Sequence, residues 1–220
     1  MLCAVAFARG PRNDHPVTRI IGGHACGRRI RTPGGQHTRP TTDRVREALF
    51  SAVEAWCGSL QGLRFLDLYA GSGAVGLEAW SRGAGVVSLV ESDRRTARLI
   101  YENAKLLGFS RVHVVTNTVT AALSRPPSAP YDVVFMDPPY HLDDTTVGDE
   151  LTLLRDQEWL VPGAMVVVER ASRGPEPEWP AGITGTRQRK YGETTLWYGH
   201  AAGERPPEPG GDARDQEEWD

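Results

Sequence analysis

The sequence has few cysteines, no long apolar run and no clustered metal ligands, and each absence excludes a class of protein. Its three cysteines, Cys3, Cys26 and Cys57, lie far apart and form no CxxC pair. This pattern argues against a disulfide framework or a zinc site and favours the reducing cytoplasm. There is no stretch of 18 apolar residues, so we expect no membrane span. Met1–Ala8 is apolar but lacks a basic region before it, so we expect no signal peptide.

The net charge of −3 conceals two segments of opposite sign. Residues 1–46 contain nine arginines against two acids, whereas residues 201–220 contain seven acids against two arginines. A basic front is typical of a polyanion binder, and arginine favours bidentate contacts with phosphate. We predict that residues 1–17 are a disordered lead and that the proline-rich, acidic residues 201–220 are a disordered tail.

A regular alternation of strands and helices fills the middle of the chain. Apolar, β-branched runs alternate with helical patterns, which predicts βαβ units and a mostly parallel sheet within an α/β domain over residues 58–200. The predicted strands are Arg64–Tyr69, Val86–Val90, Val112–Val115, Tyr131–Met136 and Met165–Glu169, with a closing antiparallel hairpin of Gln188–Tyr191 and Thr194–Tyr198. The predicted helices are Leu77–Arg82, Arg94–Leu107, Thr118–Leu123 and Val147–Asp156, and residues 171–185 are predicted as a loop.

The segment before this domain, residues 18–57, has turn and helix signals. Its first part contains two β-like runs broken by glycines, which predicts a small hairpin. An extended run from Arg39 leads into a helix with Thr42 or Asp43 as its N-cap. The apolar stripe of this helix consists of Val45, Leu49, Val53 and Trp56, and Arg44 and Arg46 fall off it. We expect that residues 18–40 could be removed without unfolding the core, because they add little apolar area.

A G-x-G-x-x-G pattern, Gly71-Ser72-Gly73-Ala74-Val75-Gly76, follows the first strand of the domain and precedes a helix. Glu91 lies twenty residues beyond Gly71, at the end of the next strand, where a carboxylate can accept hydrogen bonds from ribose hydroxyls. A dinucleotide or S-adenosylmethionine fits these features. Asp67, at the end of the preceding strand, favours S-adenosylmethionine because a carboxylate would repel pyrophosphate.

The tetrapeptide Asp137-Pro138-Pro139-Tyr140 ends the fourth strand and is the most informative motif. The two prolines fix φ and donate no hydrogen bond, so the chain leaves the sheet as a stiff, extended loop. This loop presents a carboxylate, the Pro138 carbonyl and an aromatic ring. Two hydrogen-bond acceptors and a ring match a planar base with an exocyclic amine, which indicates an amine methyltransferase.

Together these motifs resemble class I methyltransferases that modify an exocyclic amine. The front of the chain narrows the resemblance to the RsmD family of bacterial 16S ribosomal RNA guanine-N2 methyltransferases. The segments that carry it are Arg19-Ile-Ile-Gly-Gly23, Gly27-Arg-Arg29, Arg39-Pro-Thr-Thr-Asp-Arg-Val-Arg-Glu-Ala-Leu-Phe50 and Tyr191-Gly-Glu-Thr194. The resemblance runs from Thr18 to Tyr198, and the run that begins at Arg39 is its most specific part.

The resemblance implies a Rossmann-like fold with a mixed, mostly parallel seven-stranded sheet and an N-terminal extension that contacts RNA. It implies S-adenosylmethionine as methyl donor and 16S rRNA, within an assembling or assembled 30S subunit, as the partner of a cytoplasmic monomer. The implied catalytic residues are Asp137, Pro138, Pro139 and Tyr140. The implied cofactor-binding residues are Asp67, Tyr69, Ala70, Gly71, Ser72, Gly73, Glu91, Ser92, Thr118, Val119 and Asp137, with no metal ligand. The implied RNA-binding residues are Arg19, Arg28, Arg29, Arg39, Thr41, Arg44, Arg46 and Tyr191.

One position departs from the family pattern. Thr118 and Val119 stand where an acid commonly meets the adenine, so this contact would use the Thr118 hydroxyl or the Val119 backbone N–H. Four alternatives remain open: a DNA adenine-N6 methyltransferase, a protein glutamine-N5 methyltransferase, a non-catalytic RNA-binding assembly factor and a dehydrogenase.

Overall fold

The computed structural model describes residues 17–34, 42–109 and 111–204. The expectations for the leading residues 1–16 and for most of the acidic tail lie outside these ranges, as do those for Arg39 and Thr41. The chain divides into two compact units, Met1–Ala122 and Leu123–Asp220. In the part of the chain that the structure describes, every helix is too short or too polar to cross a membrane.

Within the described residues, nine strands and five helices follow one another. The strands are β1 (Val17–Arg19), β2 (Arg29–Arg31), β3 (Arg64–Leu68), β4 (Val86–Glu91), β5 (Val112–Thr116), β6 (Tyr131–Met136), β7 (Leu160–Ala171), β8 (Ile183–Tyr191) and β9 (Thr194–Ala201). The helices are α1 (Asp43–Cys57), α2 (Ala74–Ser81), α3 (Arg94–Leu107), α4 (Val119–Leu123) and α5 (Asp144–Asp156). The last seven strands belong to one sheet of order β5-β4-β3-β6-β7-β9-β8, which confirms the predicted Rossmann-like α/β class.

In the first unit, β3 pairs in parallel with β4, and β4 pairs in parallel with β5. Leu66, Leu68, Val87 and Leu89 are at most 1% exposed. Burial of this kind on both faces is what continuous apolar runs in parallel strands require. The predicted hairpin before the sheet is also present, because β1 and β2 pair antiparallel through Thr18 and Ile30.

Helix α1 begins where its capping residue allows. The Thr42 side chain accepts a hydrogen bond from the Val45 N–H, so Thr42 is the N-cap, as one of the two predicted alternatives stated. The helix ends at Cys57, and the next residue, Gly58, has a φ of 73°, which favours glycine. The prediction that Arg46 falls off the buried face is wrong, since its side chain is 0% exposed.

The expectation that residues 18–40 add little to the core is also wrong for the described part of that segment. Ile20, Ala25 and Ile30 are each 1% exposed. The backbone N–H of Ala25 donates to the Ser81 hydroxyl, and the His24 ring packs edge-on against Trp80 at 4.1 Å. The hairpin segment is therefore part of the folded first unit.

In the second unit, β6 pairs in parallel with β7, and β9 pairs antiparallel with both β7 and β8. The closing β8–β9 hairpin was predicted, but β8 begins earlier, at Ile183. Strand β7 also begins earlier than predicted, at Leu160, and includes Pro162 and Gly163. Helix α5 begins at Asp144 because the Asp143 carboxylate caps the Thr146 N–H at 2.7 Å.

Candidate active site

Asp67, a residue of β3, is buried in the first unit and contacts the start of α2. It is 1% exposed, and its Oδ2 accepts the Gly76 N–H at 2.8 Å. Gly76 is in the first turn of α2, where backbone N–H groups have no partner within the helix. This carboxylate therefore caps the helix from a neighbouring strand. The cap explains why α2 begins at Ala74 and not at the predicted Leu77.

Each of the three glycines in the glycine-rich turn from β3 into α2 has a different structural role. Gly71 has a φ of 52°, and a Cβ on it would meet nothing within 4 Å, so its side is open to a ligand. Gly73 is the left-handed N-cap of α2. A Cβ on Gly76 would lie 2.8 Å from the Leu89 side chain, so this glycine permits close helix–strand packing. Tyr69, with a φ of 66°, places a non-glycine residue in the left-handed region before the turn.

Glu91, at the end of β4, holds this turn through Gly71. Its Oε2 accepts the Gly71 N–H at 3.0 Å, and its Oε1 accepts the Asp93 N–H at 2.8 Å. Burial raises the pKa of the Glu91 carboxyl above its ordinary value, and the bonds from Asp93 and Gly71 offset part of that effect. Ser92, the next residue, is exposed.

The carbonyl of Ser72 is held by a residue of α3 that the motifs in the sequence did not indicate. Asn103 of α3 is 0% exposed, and its Nδ2 donates to the Ser72 carbonyl at 3.0 Å. A polar residue on the apolar face of an amphipathic helix is the only sequence signal of this role. Of the remaining turn residues, Ala70 donates its N–H to the Val90 carbonyl at 2.9 Å.

The other predicted donor contacts lie at the start of α4. Thr118 is exposed, and its Oγ1 accepts the Ala121 N–H at 3.3 Å. The Val119 side chain is 4% exposed. Of the two alternatives for the adenine contact, the Thr118 hydroxyl already serves as a helix cap.

The candidate acceptor loop, Asp137–Tyr140, directly follows β6 in the second unit. Pro138 is buried and Asp137 is partly buried, whereas the Tyr140 side chain is 60% exposed. The Pro139 carbonyl accepts the Leu142 N–H at 2.9 Å. The exposed tyrosine ring on a stiff, proline-fixed loop is suited to stacking on a planar group.

Arg170 of β7 contacts the residues that follow this loop. Its Nη2 donates to the Leu142 carbonyl at 3.1 Å and to the Asp144 carboxylate at 2.6 Å. The guanidinium thus joins the chain just after the loop to the first turn of α5. Nothing in the local sequence around Arg170 indicated this contact.

The predicted RNA-binding arginines have different surroundings. Arg19 is exposed and pairs with Asp43 at 3.1 Å, and Arg28 donates to the carbonyls of Leu106 and Leu107 at the end of α3. The assignment of Arg46 to RNA is wrong, because its buried guanidinium contacts Glu78, Asp43, Thr18 and the Arg19 carbonyl. Arg29 and Arg44 are exposed, and Tyr191 at the end of β8 is half-buried.

Strand β8 carries cations that the sequence reading did not assign. Arg187, Arg189 and Lys190 are all exposed, and the Arg187 guanidinium lies 4.5 Å from the ring centre of Tyr198. Burial raises the pKa of Tyr198 to about 12. Three cations within four residues, at and just before the predicted strand Gln188–Tyr191, were the signal that could have identified this basic edge.

Among the described residues there is no group of three or more histidine, cysteine, aspartate and glutamate side chains suited to a metal ion.

The chain matches the family model described as conserved hypothetical protein 95 over residues 18–200. It is 36% identical over 193 residues to ribosomal RNA small subunit methyltransferase D of Escherichia coli, a match that covers 84% of this chain and 92% of that protein. Among solved structures it resembles yhhF, a proposed methyltransferase of Escherichia coli, with a TM-score of 0.74 and 32% identity over 86% of this chain and 100% of that one.

A more distant solved structure has the same fold. It is a proposed S-adenosylmethionine-dependent methyltransferase from Streptococcus mutans, with a TM-score of 0.66 and 12% identity over 90% of this chain and 57% of that one. At this identity the likeness shows the fold alone.

Proposed function

Because the chain belongs to the RsmD family, described as conserved hypothetical protein 95, we propose that it methylates the exocyclic N2 amine of one guanine in 16S rRNA. The relatives named ribosomal RNA small subunit methyltransferase D support rRNA methylation. The guanine amine is our choice because the run from Arg39 to Phe50 resembles guanine-N2 methyltransferases, and the acceptor loop, Asp137–Tyr140, offers two hydrogen-bond acceptors to an exocyclic amine. An rRNA substrate places the protein in the cytoplasm, where we expect a monomer acting on the 30S subunit.

The residues of the first unit fit S-adenosylmethionine as the methyl donor. Gly71 leaves open space where a Cβ would be, and the Glu91 carboxylate holds the same turn through the Gly71 N–H. We assign Glu91 to the ribose hydroxyls, and Asp67 to the amino end of the donor, through a bound water or directly. The donor supplies an activated methyl group, so the protein's task is to position the two reactants.

The acceptor loop provides the groups that a weakly nucleophilic amine requires. The lone pair of guanine N2 is delocalised into the ring. The Asp137 carboxylate and the Pro138 carbonyl accept hydrogen bonds from the two N2–H groups. These bonds favour the sp3-like form of the nitrogen, in which the lone pair is available as a nucleophile. Tyr140 stacks on the flipped base, a contact worth about 1–3 kcal/mol. Arg170 keeps the loop in place through Leu142 and Asp144.

RNA is held by the exposed arginines of the front segment. Arg19, Arg28, Arg29 and Arg44 supply phosphate contacts, with Arg39 and Thr41 outside the described residues. Tyr191, beside the cations of β8, supplies a further contact. Electrostatic contacts of this kind position the RNA without reading its sequence.

The test is to incubate the protein with 30S subunits, with free 16S rRNA and with duplex DNA in the presence of methyl-labelled S-adenosylmethionine. Label on one guanine N2 supports the proposal, and label on DNA adenine or on protein glutamine contradicts it.

Asp137→Ala is expected to lower the rate of methyl transfer by about a hundred- to a thousandfold, with donor affinity changed only a few-fold. Asp149→Ala, on the exposed face of α5, is the control for loss of a carboxylate. Binding of rRNA without any turnover would indicate a non-catalytic assembly factor.

A further inference from the structure

Asn103 contacts two segments that are far apart in the sequence. Its Nδ2 donates to the Ser72 carbonyl at 3.0 Å and to the Arg31 carbonyl at 2.8 Å. Its Oδ1 accepts the Arg31 N–H at 2.9 Å. The two hydrogens of the amide nitrogen are thus used by two carbonyls, one in the glycine-rich turn and one in β2.

The orientation of this amide is fixed by its partners. If the nitrogen and oxygen were exchanged, the nitrogen would face the Arg31 N–H and the oxygen would face two carbonyls. With Asn103 0% exposed, no water can compensate for such a reversal. The side chain therefore has one stable position, and any movement of β2 changes its geometry at Ser72.

The remaining bonds that hold the turn go elsewhere. Gly71 is held by Glu91, Ala70 by the Val90 carbonyl, and the Gly73 N–H by the Ala70 carbonyl. These contacts fix the turn to β4 and to itself. The bond from Asn103 to Ser72 is the one among them that continues into the N-terminal hairpin.

Strand β2, at the hairpin end of this hydrogen-bonded link, has exposed cationic side chains. In β2, Ile30 is 1% exposed, whereas Arg29 and Arg31 on either side of it are exposed. The Arg31 side chain is 45% exposed and lies 3.6 Å from Glu102. Phosphates that engage these two arginines would act on the same backbone that Asn103 holds.

We propose that Asn103 is a positioning residue that couples RNA contact at β2 to donor binding at the glycine-rich turn, with Arg31 as an additional phosphate contact. This inference rests on the proposed function. RNA bound at Arg29 and Arg31 orders β2, the Asn103 amide transmits that order to the Ser72 carbonyl, and the donor site becomes better organised. Because coupling between two binding sites is reciprocal, bound donor raises RNA affinity by the same factor.

The experiment measures the dissociation constant of S-adenosylmethionine by calorimetry, with and without saturating 16S rRNA transcript. The ratio of the two constants is the coupling factor. We expect a factor of at least about fivefold for the unmodified protein, the lower end of typical allosteric coupling. In Asn103→Asp the factor should fall to one, because a carboxylate keeps the acceptor for the Arg31 N–H but cannot donate to either carbonyl.

The control separates coupling from simple loss of stability. Leu107→Ala removes a buried side chain from the same helix, 4% exposed, and leaves Ser72 and Arg31 untouched. This variant should lower the melting temperature yet keep the coupling factor. Should Asn103→Asp fail to fold, Asn103→Ser, which retains a smaller hydrogen-bonding group, replaces it.

The outcomes separate the two proposals. No coupling in the unmodified protein, or equal coupling in the unmodified protein and the folded Asn103 variant, would overturn the role of Asn103. Failure of the unmodified protein to bind S-adenosylmethionine, or to bind either 16S rRNA or 30S subunits, would instead refute the proposed function.

Discussion

Arg46 of α1 and Glu78 of α2 form an ion pair of 3.3 Å in which both side chains are 0% exposed. Arg82 binds the same carboxylate: its Nη2 donates to the other Glu78 oxygen, Oε1, at 2.9 Å. Arg46 also donates to the Arg19 carbonyl at 2.6 Å. The pair therefore links the N-terminal hairpin segment to the helix that follows the glycine-rich turn.

We expect Arg46→Ala to destabilise the protein by about 3–5 kcal/mol, because it leaves the buried Glu78 carboxylate with fewer partners. Urea unfolding followed by circular dichroism measures the change. Arg44→Ala, two positions earlier and exposed, is the matched control and should shift the free energy of unfolding by no more than about 0.5 kcal/mol. Equal effects of the two substitutions would contradict the buried ion pair.

Deleting residues 18–34 should unfold the first unit. The deletion removes the buried side chains of Ile20, Ala25 and Ile30 and leaves Arg46 without its contacts to Thr18 and Arg19. Thermal melting of the truncated chain, with and without S-adenosylmethionine, measures this. A cooperative transition at the temperature of the full chain would show that the hairpin is only an appendage.

The sequence predicted some elements to the residue and others only in kind. The bounds of α3 are those predicted, because Asp93 caps the Thr96 N–H and Gly108 ends the helix in the left-handed region, and such caps are local. The start of α2 was misplaced because its capping carboxylate, Asp67, comes from a neighbouring strand. A cap that depends on tertiary packing leaves no local signal.

The candidate site divides in the same way. Glu91 and Gly71 were predicted from motif spacing, and the structure joins them by a hydrogen bond. Asn103 and Arg170 were missed because each contacts backbone groups 28 or more positions away in the sequence. Backbone partners carry no residue-type pattern, so only the three-dimensional structure identifies these two contacts.

Donor affinity should depend on pH through Glu91. The pKa of this carboxyl is raised above its ordinary 4.5 because burial disfavours the charged form. Because the folded protein holds the Glu91 proton more tightly than the unfolded chain does, protonation of Glu91 stabilises the folded state. This contribution to the free energy of unfolding is fully present below the unfolded pKa and is lost as the pH rises through the folded pKa. Binding of the ribose hydroxyls requires the ionised form, so donor affinity should have the opposite trend and weaken as pH falls through the folded pKa.

Calorimetric titration of S-adenosylmethionine between pH 8 and pH 5 measures this trend. Glu91→Gln should bind more weakly and lack the Glu91 part of the pH dependence. The neighbouring Asp93 does not complicate the comparison, because hydrogen bonds from Thr96 lower its pKa. The same pH profile for both proteins would show that Glu91 does not contact the donor.

RNA affinity should fall steeply with salt, and the exposed arginines of the front should account for part of the slope. Arg29 and Arg44 are exposed, and neither side chain has a hydrogen bond or ion pair with another described residue, so replacing them by glutamine should leave the melting temperature unchanged. Each lost phosphate contact should reduce the log–log slope of affinity against salt by about 0.7–0.9. Filter binding of 16S rRNA over a series of salt concentrations measures the slope.

Arg98→Gln, on α3 with a side chain that is 83% exposed, serves as the control and should leave the slope unchanged. If the double variant and the control have the same slope, phosphate binding lies elsewhere, and the exposed cations of β8 become the next surface to test.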